Sequence, residues 1–172
     1  MTIAGVVSAI LLLAATAREA RAQDTSRTNS GLVAFTVGIP GVASEAMSQL
    51  FTLGIALNGF RPNAISPELA VGTMPYGLAD GFAVFGMRAG LAVPAVISER
   101  AVLLPSAGVS GAMAIGLDAG ATAAPGAYMG IATVIGSGRT SAFRAGVTWH
   151  HFSSIERMVW LLEAGVVRPF RR

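Results

Sequence analysis

A two-residue alternation of bulky and small side chains recurs along this chain. Ala83, Phe85, Met87, Ala89, Leu91 and Val93 fall on one side of an extended segment, and Val84, Gly86, Arg88, Gly90 and Ala92 on the other. The same alternation sets Phe143, Ala145, Val147, Trp149 and His151 against Arg144, Gly146, Thr148 and His150. It sets Trp160, Leu162, Ala164 and Val166 against Leu161, Glu163, Gly165 and Val167, and Phe51, Leu53, Ile55 and Leu57 against Thr52, Gly54, Ala56 and Asn58. A period of two predicts β-strands. The two faces also predict the surroundings. A soluble barrel buries its bulky face and shows water a face of Lys, Glu, Asp and Ser. Here the second face is mostly Gly and Ala, with isolated charges, which suits bulky groups facing lipid and small ones filling a narrow lumen.

Turn chemistry divides the region into about eight candidate strands, at 31–41, 48–61, 64–74, 81–97, 101–117, 125–137, 140–152 and 157–170. The breaks are Pro40-Gly41, Arg61-Pro62-Asn63, Pro75-Tyr76-Gly77, Ser98-Glu99-Arg100, the stretch from Asp118 to Pro125, Gly136-Ser137-Gly138 and Ser153-Ser154. Residues 41–49 also admit a short helical turn. The expected fold is all-β, an antiparallel up-and-down barrel of about eight strands, after the helix of an N-terminal signal. The competing architecture is a bundle of membrane helices, because 101–117 and 119–138 carry no charge. Against it, the second window holds five Gly and one Pro. These cost about 1 and 3 kcal/mol each relative to Ala in a helix interior.

The N-terminus supplies an address. An apolar run from Ile3 to Ala17 leads to Ala20-Arg21-Ala22 and then to polar Gln23-Asp24-Thr25-Ser26, the pattern of a signal segment with cleavage after Ala22. The expected organisation is therefore a signal peptide at 1–22, a polar tail at 23–30 and one barrel domain at 31–172.

Composition narrows the chemistry. Charged residues make up 12% of the chain and apolar ones 53%, whereas soluble domains carry roughly a quarter charged. The formal charge of +3 is nearly balanced once the signal is removed, which argues against nucleic acid as a partner. The chain has no Cys, so it has no disulfide, thiolate metal site or Cys nucleophile. His150 and His151 are adjacent and so point to opposite faces of a strand, a poor start for a metal site. No Gly-x-Ser-x-Gly elbow is present, and Gly136-Ser137-Gly138 falls where a hairpin turn is expected. No catalytic residue, cofactor or metal is assigned.

The signal segment, the alternating strands and the ending Val166-Val167-Arg168-Pro169-Phe170 resemble the small bacterial outer-membrane β-barrel superfamily that contains OmpA and OmpX. The resemblance covers about residues 31–172. It implies the outer membrane as location, lipid as surroundings and a monomer. It also implies that the aromatic near the end, Phe170, helps the assembly machinery recognise the last strand during insertion. Candidates for aromatic girdles are Phe51, Phe60, Tyr76, Phe82, Phe85, Tyr128, Phe143, Trp149, Phe152, Trp160 and Phe170.

Four charges share the small-residue faces: Glu68, Arg88, Arg144 and Glu163. In a lumen with little water they are expected to pair as a structural network. The alternative is a polar constriction lining a narrow pore. For the whole chain the expectation is a non-enzymatic outer-membrane barrel with a structural, adhesive or small-permeability role. The alternative is a secreted periplasmic barrel or sandwich binding a small apolar ligand.

Overall fold

A computed structural model describes residues 30–42, 45–46, 51–75, 81–116, 120–136, 141–154 and 158–171. The expected signal segment and nearly all of the polar tail lie outside these residues. The described residues form ten strands: β1 (Ser30–Val42), β2 (Glu45–Ala46), β3 (Thr52–Phe60), β4 (Ser66–Met74), β5 (Phe82–Ala92), β6 (Ala95–Ser98), β7 (Ala101–Gly116), β8 (Gly120–Gly136), β9 (Ala142–Phe152) and β10 (Val159–Arg171). Eight of them make the wall, in the order β10-β9-β8-β7-β5-β4-β3-β1, and pairing of β10 with β1 closes it. All pairings are antiparallel. Strands β2 and β6 are short additions that pair with β1 and β7.

The windows that could have been membrane helices are β7 and β8, paired from Ala101↔Ile135 to Gly116↔Gly120. Among the described residues no helix is long and apolar enough to cross a membrane. Three sequence-based boundaries shift. Strand β8 starts at Gly120, so Pro125 lies within it rather than in a turn. It lies one residue beyond the last β8–β9 pair, Gly126↔Phe152, where its carbonyl still accepts from Ser153 N–H at 2.9 Å and the ladder ends, so the missing N–H costs little. Pro40-Gly41 likewise continues β1 instead of ending it. Within the segment where the sequence admitted a helical turn, the described Glu45 and Ala46 pair back on Val42 and Gly41.

The alternation becomes inside and outside. Phe35, Ile55, Val71, Met87, Val166, Phe143 and Ile135 are all exposed and lie on one cross-strand row, so large apolar groups run continuously over most of the wall. An apolar belt of this extent belongs in hydrocarbon. Val93 departs from the pattern. It lies past the end of β5, between that strand and β6, and it is buried rather than lipid-facing.

The stagger of the wall follows from the register. The row that starts at Leu32 passes through Asn58, Glu68, Gly90, Gly108, Tyr128, His150 and Val159 and returns to β1 at Val42, ten residues further along. Such a shear tilts the strands and sets the width of the lumen.

Candidate functional site

The lumen holds nearly all of the buried polar chemistry. The wall accommodates long inward side chains because their cross-strand neighbours are small. Glu163 lies between Gly38 and Gly146, and Arg88 between Ala70 and Ser110. Glu68 has Gly90 on one side, and Arg144 has Gly165. Each charge therefore points into space left by its neighbours.

Arg88 and Glu163 form a two-pronged contact, with Nη2 donating to Oε2 at 2.8 Å and Nη1 to Oε1 at 3.2 Å. Arg88 Nε also donates to Glu68 Oε1 at 3.3 Å. Arg144 Nη2 stands 3.6 Å from the same oxygen, and its Nη1 donates to Asn58 Oδ1 at 2.9 Å. The Tyr128 hydroxyl donates to the other oxygen of Glu68 at 3.3 Å, and its ring lies 5.9 Å from the Arg88 guanidinium carbon. The four charges that the alternation had put on the small face thus meet in one buried cluster.

Strand order shows what these contacts span. Strands β5 and β10 stand four places apart in either direction around the wall, as do β4 and β9. The Arg88–Glu163 and Arg144–Glu68 contacts therefore cross the lumen along diameters. Two cations and two anions leave the cluster neutral, and forked Arg–carboxylate geometry is the strong form of such a bond. On the β7, β8 and β10 side, Leu104, Val134 and Val167 pack in the lumen between the cluster and the terminal end, where Ser30 and Arg171 pair.

Sequence reasoning missed Asn58, Tyr128 and His150 as lumen residues that act together. Of the girdle candidates, Tyr128 and Phe152 are buried inside the barrel, and Phe60 lines the lumen at the terminal end. The side chains of Tyr76, Phe82 and Phe170 lie outside the described residues. Phe51, Phe85 and Phe143 are exposed, and Trp149 pairs in register with Trp160 on the outer face. The parity of His150 was the available signal for the inner set. His150 is buried and His151 exposed, as adjacent strand positions require.

Beyond the cluster, toward the end away from the termini, lies a cavity of about 130 Å³. It exists because Gly54, Gly72 and Gly86 are cross-strand neighbours on the inner face. A Cβ at Gly86 would meet nothing within 4 Å. Tyr128, His150 and Phe152 form a stack, with centroids 5.9 and 5.7 Å apart, and its His150 and Phe152 border the cavity. His150 Nε2 contacts Thr148 Oγ1 at 3.2 Å, while Nδ1 is buried with no protein partner.

A closed eight-stranded antiparallel wall, apolar outside and polar within, defines a small transmembrane β-barrel. The solved structures it resembles are of this kind. The attachment invasion locus protein Ail of Yersinia pestis superposes with a TM-score of 0.60 at 10% identity, covering 84% of this chain and 100% of that one. Neisserial surface protein A gives 0.57 at 11%, covering 83% and 97%. The N-terminal β-barrel domain of Pseudomonas aeruginosa OprF gives 0.54 at 14%, covering 83% and 98%. At these identities the likeness is one of fold. No family model matches the sequence, and no curated protein matches it either.

Proposed function

We propose that this protein is a non-enzymatic bacterial outer-membrane barrel whose lumen is sealed, so that it serves as a transmembrane scaffold rather than an open pore. The observation that carries this reading is the pair of diametral ion contacts, Arg88–Glu163 and Arg144–Glu68. An eight-stranded barrel is just wide enough for side chains to fill, and here paired opposite charges do the filling. Their role is structural: opening a path for ions requires separating buried opposite charges.

The surroundings are outer-membrane lipid on the Phe35–Val71–Met87 belt. The partner during insertion is the assembly machinery, acting on the last strand, and the barrel works as a monomer.

Single-channel recording in planar bilayers tests the seal. The native barrel is expected to give no long-lived conductance, and the double variant Arg88→Ala/Glu163→Ala to give resolvable steps. Native steps as large as those of the double variant would refute the sealed lumen. Fractionation with heat-modifiable gel migration tests the location, and a chain recovered in the buffer-soluble periplasmic fraction rules the membrane reading out.

A further inference from the structure

We propose that the lumenal cavity beyond the ion cluster is a binding site for a small, neutral, ring-containing molecule with one hydrogen-bonding group, of which phenol is the simplest. Size comes first. The cavity holds about 130 Å³, and an apolar protein cavity of roughly 150 Å³ admits benzene. The space suits a single six-membered ring.

The lining selects an aromatic. Val84, Phe152, Val159 and Leu161 supply apolar surface, and the inner glycines leave bare backbone between them. Phe152 ends a stack in which its ring lies within 7° of parallel to His150. A ring placed against Phe152 extends that stack in the offset geometry that aromatic pairs prefer.

One polar atom selects the substituent. His150 is 8% exposed, and its Nδ1 has no protein partner, while the other ring nitrogen is engaged by Thr148. A buried imidazole nitrogen without a partner is costly; a ligand hydroxyl, met by a turn of the His150 ring that borders the cavity, would serve it in either tautomer. The floor excludes charge. All three Arg88 nitrogens already donate to Glu68 or Glu163, so neither an anion nor a cation finds an unpaired counterpart there.

The proposal stands apart from the sealed-lumen reading, because the cavity lies to one side of the cluster and binding needs no passage through it. The test uses the barrel in lipid nanodiscs with ¹⁵N-labelled histidine, titrated with phenol and, separately, with benzene. Phenol is expected to shift the His150 side-chain resonance saturably and leave exposed His151 unmoved. Benzene should bind about two- to tenfold more weakly, the span of one net hydrogen bond.

Gly86→Leu fills the cavity from a position where a new side chain meets open space. It should keep heat-modifiable migration, the sign of a folded barrel, and lose the saturable shift. The inference is overturned if the shift grows linearly with phenol and is matched at His151, since that is partition into lipid. It is equally overturned if saturable binding survives in folded Gly86→Leu.

Discussion

Arg88 and Glu163 hold each other across the full width of the barrel, at 2.8 and 3.2 Å, although 75 residues separate them in the chain. Both are nearly fully buried, so neither has water to turn to when the other is removed. Arg88→Ala or Glu163→Ala alone should therefore cost about 3–5 kcal/mol of stability. The apolar pair Arg88→Met/Glu163→Leu should cost less than either single variant, because it orphans no charge at that contact. Urea unfolding in lipid vesicles measures this. A double variant less stable than both singles would count against the pairing.

The outer belt predicts an asymmetry of chemical access. Leu91 and Val166 are exposed on the apolar face, whereas Gly86 faces the cavity. Because the chain has no native Cys, single cysteines can be placed at each position. In intact membranes a water-soluble maleimide should modify Gly86→Cys and spare Leu91→Cys and Val166→Cys. Leu91→Arg should cost about 2–4 kcal/mol if the residue lies near the bilayer midplane. Rapid labelling at 91 and 166 with protection at 86 means that the strands face the other way.

Two inner glycines should respond oppositely to a larger side chain. A Cβ at Gly146 would stand 2.6 Å from Ala132 Cβ and 2.8 Å from the Ile131 carbonyl oxygen, and it would crowd the position opposite Glu163. Gly146→Val should cost about 1–3 kcal/mol through overpacking. Gly86→Val meets open space and restricts the unfolded chain, so it should be neutral or stabilising by about 0.4–1 kcal/mol. Matched unfolding curves decide this, and equal losses at both sites would show that the glycine row is not open.

Asn63 turns the chain between β3 and β4 with φ at 54°, and its N–H donates to the Pro94 carbonyl at 2.7 Å. Asn63→Gly should leave stability close to native. Asn63→Val puts a branched side chain in a left-handed conformation and should cost about 1–2 kcal/mol. Equilibrium unfolding of the two variants separates them, and indistinguishable midpoints would argue against the strained turn.

Much of the wall was legible in the sequence because alternation is a local property. Phe85, Met87 and Leu91 against Gly86 and Arg88 state which side meets lipid, since successive strand residues must point opposite ways. Where the contrast between faces is weak, the reading failed. In 120–136 nearly every residue is small or apolar, so the inward parity of Tyr128 was hidden and Pro125 passed for a turn.

By itself the sequence determined the strands, their approximate number, the lipid-facing side and the set of inward charges. Only the tertiary structure decided which charges meet. That depends on the stagger, because a shear of ten residues from Leu32 to Val42 brings Arg88 opposite Glu163 and lifts His150 and Phe152 beside the glycine row. Stagger is a property of the closed ring of eight strands. No single strand carries it, since a shift of two residues in any pairing preserves every inside and outside assignment while changing every partner across the lumen.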